Sequence, residues 1–400
     1  MRIMASFTVM EKNRQISRIL PVLLAFFIMG YCDLVGIATN YLKQDFSLGD
    51  TAANAFSVMM FLWFLVLSVP TGIMMNRIGR RKTVLLSMVV TLLGLVIPFV
   101  SYSVVSMILA FSLIGIGNTF IQVSLNPLVA SLVSPQKQPS FLTLGQFIKA
   151  IASFLAPILA VQAALRLGDW KFLFVIFAII DIAVLSWLAV TEIKEQETGD
   201  KASSFSDCFR MLGMGSILML FIGIVMNVGI DVGINITAPK ILQERAAMTL
   251  DQAGYATSLY FLVRTFGCLA GTFILSRISA SRFFIISALL IFVGVVGLLF
   301  ASSVAALYVC VGLIGAGNSN IFPIIFAKAL NTAPEKDNEI SGLMIMGVSG
   351  GALVPVIMGA ASDAAGNQNG AVLVLAVCIV YLLALIPLML KLEKKANNQL

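Results

Sequence analysis

Histidine is absent from all 400 residues. With it go the commonest zinc ligand and the commonest general base near neutral pH. Charge is scarce as well: Asp, Glu, Lys and Arg make up 11% of the chain, against about 25% in soluble domains. Apolar residues reach 59%, against roughly 45–50%, and the mean hydropathy is +1.00. No water-soluble fold hides that much apolar surface. The five cysteines, Cys32, Cys208, Cys268, Cys310 and Cys378, show no metal-ligand spacing and read as small buried hydrophobes. No nucleophile and base occur in a recognisable motif, so neither an enzyme nor a bound metal or cofactor is expected.

What the chain does have is apolar runs. At about 20 residues per membrane crossing, 400 residues accommodate about twelve spans and little else. The runs cover 18–42, 54–76, 83–102, 104–133, 141–165, 170–191, 212–241, 252–276, 282–302, 304–331, 340–362 and 369–391. The first is too long for a signal-peptide core and reads as a membrane helix. Most connections are short. The exception, Glu192 to Arg210, is charged and Ser/Lys-rich and reads as a cytoplasmic linker over 192–211. It divides the chain into six-helix bundles over 1–191 and 212–400.

The net charge of +7 invites a nucleic-acid reading, but the cations sit in loops. Taking alternate connections as cytoplasmic from an inside N-terminus places Arg77, Arg80, Arg81, Lys82, Lys137, Arg210, Arg277, Arg282, Lys328, Lys336 and nine others inside. Only Lys43, Arg166, Lys171, Lys240 and Arg245 fall outside. That asymmetry puts both termini in the cytoplasm. The basic balance is topology, and no nucleic-acid partner is expected.

The two halves carry a repeat. Leu113-Ile-Gly-Ile-Gly-Asn118 in the fourth run recurs 200 residues later as Leu313-Ile-Gly-Ala-Gly-Asn318 in the tenth, and Val35-Gly-Ile37 in the first recurs as Val232-Gly-Ile234 in the seventh. Both members of each pair run in the same direction through the membrane, so the halves are parallel repeats about an axis along the membrane normal. After the second run comes Gly72-Ile-Met-Met-Asn-Arg77-Ile-Gly79-Arg80-Arg81-Lys82. It resembles the cytoplasmic loop motif of the major facilitator superfamily, whose glycines allow tight helix approach and whose arginines lie against helix ends. Asn76 stands where that motif usually has aspartate, which leaves open an interdomain ion pair there. The implied fold is all-α, with twelve transmembrane helices in two six-helix bundles related by a pseudo-twofold along the membrane normal.

Five charged residues lie in the runs well away from their ends: Asp33, Lys149, Asp181, Asp231 and Arg264. Each costs about 2.5–3.5 kcal/mol at a helix centre, so such residues face a cavity or a partner. In the facilitator plan, spans one, four, seven and ten line the cavity, with two, five, eight and eleven beside them. On that plan Asp33 and Asp231 are cavity residues and proton-coupling candidates, with Lys149 and Arg264 within reach. Asp181, on an outer span, reads as structural. Amides and one phenol surround these charges: Asn118, Gln122, Asn126, Gln146, Asn227, Asn235, Tyr260, Asn318 and Asn320. Asn118, Gln122 and Asn126 follow at i, i+4 and so share one helical face. Amides offer both donors and acceptors, which suits a polyhydroxylated ligand, and they serve equally as interhelical glue.

Asn318-Ser-Asn-Ile-Phe-Pro-Ile-Ile-Phe326, Ser341-Gly-Leu-Met-Ile-Met346 and Gly350-Gly-Ala-Leu-Val-Pro355-Val-Ile-Met-Gly359 resemble spans ten and eleven of the fucose–proton symporter family, which includes glucose/galactose permeases. Asn227 to Ile234 and Ser258-Leu-Tyr260 resemble its spans seven and eight. The resemblance implies proton-coupled uptake of a neutral hexose or deoxyhexose by a monomer in a bacterial inner membrane. The departures are specific. Gln122, four residues before Asn126-Pro127, replaces a titratable acid, and Asp33 stands one turn before the family's span-one aspartate position, here Gly36. Lys149 replaces an asparagine, and Arg264 stands one turn from the family's arginine position, here Cys268. Two added cations keep open an acidic sugar, such as a sialic acid or a uronate. Multidrug efflux and a non-transporting sugar sensor share the fold. The three tryptophans do not mark the amide-rich helices, however, and the linker and tail are too short for a signalling module.

Overall fold

The structure is a computed structural model that describes residues 19–48, 50–193, 205–248 and 250–397. Among them there is no strand. Helices α2 to α10 are Asp50–Ile78, Arg80–Val100, Val104–Ser131, Gln138–Leu167, Phe172–Val190, Gly215–Ala246, Leu250–Ile274, Ala280–Phe300 and Val304–Leu330. Three rods are interrupted. Helix α1 runs over 19–45 through a 3-10 turn at Gly30–Asp33, α11 runs from Asp337 to Ala365 through one at Gly347–Ser349, and α12 joins Asn369–Ala384 to Ile386–Asn397. Among the described residues eleven helices are long and apolar enough to cross a membrane, and Ile19–Asp33 is a shorter apolar helix. The first expected span is therefore present as a rod broken at Gly30–Asp33. Most of the expected linker, residues 194–204, lies outside the described residues, as do the basic N-terminal 18.

Local chemistry sets the helix ends. Ser103 starts α4 with a reciprocal cap to Ser106, and Ser303, 200 residues on, caps α10 through the Ala306 N–H at 3.3 Å. Gly79 joins α2 to α3 at φ 86°, a left-handed conformation that favours glycine. That sharp turn puts Arg81 against the end of α6, where it donates to the carbonyls of Leu188 at 3.1 Å and Ala189 at 2.7 Å. The guanidinium thereby meets acceptors that a helix C-terminus leaves unmatched.

Residues cluster into two compact units, 1–134 with 148–203, and 135–147 with 204–400. The boundary falls inside α5, whose first turns belong with the second unit: Ser140 donates to Thr272 O at 2.6 Å and Gln138 accepts from Asn331 at 3.0 Å. In the first unit α4 packs most heavily on α3 and α2, and α6 packs on α3; in the second unit α10, α9, α8 and α12 take the same places. The glycines make this pairing tight. A Cβ on Gly94 would lie 2.9 Å from Ala110 O, and one on Gly294 2.8 Å from Cys310 O. Likewise Gly115 abuts Met60 O and Gly315 abuts Tyr260 O, at 2.5 and 3.0 Å. Every pair differs by 200 in number, so the short sequence repeat is one visible stretch of a longer structural one.

The far end of α1 is tied by a polar hub. Asp45 accepts from Tyr102 and, at 2.9 Å, from Trp170 Nε1, while Lys171 lies 3.9 Å over the Tyr102 ring. Burial, reinforced by the Asp45 carboxylate, holds the Tyr102 phenol well above its ordinary value. In the second unit the corresponding end of α7 carries the opposite charge. Arg245 donates to Leu298 O and Ala301 O at 2.5 and 2.8 Å and to Asn369 Oδ1 at 2.5 Å. Each unit thus fastens its first helix to its third and sixth at the same place, once through a carboxylate and once through a guanidinium.

Candidate functional site

The second unit holds a connected polar cluster in its apolar interior. Asp231, midway along α7, pairs through Oδ2 with Arg264 Nη1 of α8 at 3.1 Å. Its other oxygen accepts from the Tyr260 hydroxyl at 2.5 Å, and that hydroxyl accepts from Asn318 Nδ2 of α10 at 2.9 Å. Tyr260 and Arg264 are one turn apart on α8, so the i, i+4 spacing delivers a phenol and a guanidinium to the two oxygens of one carboxylate. Tyr260 is fully buried, whereas Asp231 and Arg264 keep 17% and 20% of their side chains exposed. Asn235, one turn beyond Asp231, donates to the Asp231 carbonyl at 2.7 Å and accepts nothing through its own Oδ1. Asn227, one turn before, is buried with Oδ1 likewise unmatched, as is Oδ1 of Asn318. Three amide oxygens therefore present unused acceptor capacity around one partly exposed ion pair. Such unused acceptors match the chemistry of hydroxyl donors.

In the first unit the amide face of α4 forms a ladder. Asn118 Nδ2 donates to Met29 O at 3.1 Å, Gln122 Nε2 to Asn118 Oδ1 at 2.7 Å, and Asn126 Nδ2 to Gln122 O at 2.7 Å. Asn118 thus fastens α4 to α1 just before the 3-10 turn, and Asn126 Oδ1 is left without a donor. Asp33 ends that turn. Its carboxylate accepts from the Ser153 hydroxyl and from Cys32 Sγ at 3.4 Å, and Ser153 also reaches Lys149 O at 3.2 Å. A Cβ on Gly30 would lie 2.6 Å from Lys149 O, so α1 and α5 touch backbone to backbone here. The structure brings the helices of Asp33 and Lys149 together, and Ser153 is a partner of Asp33 that the sequence reading missed. Its signal was the i, i+4 spacing from Lys149. Gln146 is buried on the same helix. Asn320 is spent on packing, donating to Gly267 O at 3.0 Å and filling the space beside Gly271.

Broken rods at Gly30–Asp33 and Gly347–Ser349, a repeat in both packing and sequence, and charged groups buried at mid-helix define a multi-pass helical membrane transporter built from two related halves. The family model of the Major Facilitator Superfamily matches residues 21–335 and 220–399, and the chain belongs to that superfamily. A glucose/galactose transporter of Brucella abortus biovar 1 (strain 9-941) is 27% identical over 388 residues, covering 90% of each chain. A putative glucose/galactose transporter of Helicobacter pylori (strain ATCC 700392 / 26695) is 25% identical over 366 residues, covering 84% of this chain and 87% of the relative. Among solved structures, a variant of the E. coli fucose:proton symporter FucP superposes with a TM-score of 0.78 at 18% identity, over 93% of this chain and 99% of that one. The proton:xylose symporter XylE gives 0.73 at 16% identity, over 94% and 95%. These likenesses agree with the all-α, major facilitator fold.

Proposed function

We propose that the chain imports a neutral hexose, of the glucose/galactose class, or a deoxyhexose together with a proton, by alternating access between the bundles 1–191 and 212–400. The observation that carries this is the Arg264–Asp231–Tyr260–Asn318 cluster. An acid that meets one guanidinium and one phenol is a group whose protonation cancels the ion pair and weakens the phenol's bond together. Protonating Asp231 releases Arg264 and frees Tyr260 and Asn318 to reorient toward a hydroxylated ligand. Asp33, held by Ser153, is the coupling candidate in the first half. Asn118, Gln122, Asn126, Gln146 and Lys149 in and beside the first half, and Asn227, Asn235, Tyr260, Arg264 and Asn318 in the second, are the candidate sugar contacts. A proton moving with the membrane potential gains about 2.3 kcal/mol per 100 mV, enough to drive accumulation.

Relatives named for glucose and galactose support a neutral substrate. So does the engagement of Arg264 with Asp231, since a carboxylate substrate would have to compete for that guanidinium. In this reading the protein works as a monomer in a bacterial inner membrane with both termini cytoplasmic. Uptake of labelled glucose, galactose, fucose and sialic acid into proteoliposomes tests the reading. Accumulation of one of the neutral sugars under an inward proton gradient is expected, and rejection of every sugar would sink it.

A further inference from the structure

Asp181 is the tenth of nineteen residues in α6 and is fully buried, yet neither carboxyl oxygen has a hydrogen-bond partner. It takes no part in the two clusters above. The elements packed on α6 decide its charge state. Helix α3 offers nothing ionisable from Thr83 to Val100, and α4 offers nothing from Val104 to Ser131. Arg81, at the start of α3, is bonded to the carbonyls of Leu188 and Ala189, about two turns further along α6 than Asp181. Helix α1 faces α6 with Phe27 and Tyr31, followed by Cys32 and Asp33, and Lys149 lies on α5, whose backbone abuts Gly30. A carboxylate without a facing cation or a donor is not stable at the middle of a membrane helix; the protonated acid is.

Its surroundings also connect it to the turn that holds Asp33. Tyr31 stacks on Phe177 with ring centroids 4.2 Å apart and donates its hydroxyl to Phe177 O at 2.8 Å. Phe177 is one turn before Asp181, the direction in which helical side chains lean. Tyr31 and Asp33 ride on the same 3-10 segment, Gly30–Asp33, and a 3-10 stretch inside a long helix is a common hinge. We infer that Asp181 is a further proton-binding site, beside Asp33 and Asp231, loaded in this conformation and coupled to Asp33 through Tyr31 and the Gly30–Asp33 turn. When the turn moves, the Tyr31 hydroxyl leaves Phe177 O for the Asp181 carboxyl. A donor then stabilises the carboxylate, and the proton departs to water.

This rests on the proton-coupled reading for its role in the cycle, but its first readout does not need a sugar. Infrared spectra of the purified full chain at pH about 7 are expected to show a protonated-carboxyl C=O band that is lost in Asp181→Asn and shifted in Tyr31→Phe. A band unchanged in both variants overturns the proposal, because the acid is then ionised or isolated. If Asp181→Asn does not insert, Asp181→Glu serves in its place, and a band that fails to move has the same meaning. The second readout is proton release on adding saturating D-glucose or D-galactose, followed with a pH indicator. Wild type is expected to differ from Asp181→Asn by about one proton per chain, and equal release overturns the coupling. Absence of sugar binding in wild type would count against the substrate reading, while the infrared result still decides Asp181.

Discussion

Asp231→Asn isolates the central ion pair. The substitution keeps the shape of the side chain, removes its charge, and leaves Arg264 at 20% side-chain exposure without its counter-ion on α7. Removing one partner of a fully buried pair costs about 3–5 kcal/mol; with each side chain retaining about a fifth of its surface, about 2–3 kcal/mol is expected here. The second substitution, Arg264→Gln, removes the stranded cation. The double variant should therefore recover most of the loss and fall within about 1 kcal/mol of wild type. Thermal unfolding of the four proteins in one detergent gives the cycle, and transport separates structure from coupling. Both Asp231→Asn proteins should lose proton-driven accumulation, while the double variant regains stability and the single Asp231→Asn variant, with Arg264 in place, retains sugar exchange at equal concentrations across the membrane. A double variant as unstable as the single one would show that the stranded charge is not the cause. Intact accumulation in Asp231→Asn would remove Asp231 from coupling.

Other outcomes follow from the same contacts. Tyr260→Phe deletes the hydroxyl shared by Asp231 and Asn318, and hydrogen bonds to charged groups are worth about 1.5–3 kcal/mol, so a loss near the lower bound is expected in unfolding of the purified protein. Asp33→Asn should abolish proton-driven accumulation with exchange retained, and Ser153→Ala should weaken it less, as measured by uptake under an imposed gradient. Gly115→Ala is expected to cost more than Gly315→Ala, because the added methyl meets backbone at 2.5 Å in the first and 3.0 Å in the second; overpacking of this kind runs to about 1–3 kcal/mol and is read from unfolding midpoints. Arg245→Gln should destabilise by about 1–3 kcal/mol by stripping donors from Leu298 O and Ala301 O.

Most of the fold was written in hydropathy. Eleven of the expected runs coincide with long apolar helices to within a few residues, since membrane length fixes helix length. The motif Leu113 to Asn118 and its recurrence at Leu313 to Asn318 exposed the repeat because glycines at touching helices leave little room for a side chain. Arg264 as the partner of Asp231 was also legible, since an intramembrane acid and base on adjacent helices seek each other. Less legible was anything set by rotation of a helix about its axis. Ser153 is an ordinary serine until α5 turns it toward Asp33, and Asp181 looked peripheral on an outer span until α6 proved to bury it completely. The break at Gly30–Asp33 left no mark on hydropathy, because all its residues but one suit an apolar helix.

The most direct test is accumulation of labelled glucose or galactose in proteoliposomes, with the proton gradient and the sodium gradient imposed separately. The account predicts accumulation above equilibrium with the inward proton gradient, its collapse on adding a protonophore, and no effect of sodium. Uptake driven by sodium alone, or no movement of either sugar or of fucose under any gradient, would contradict it.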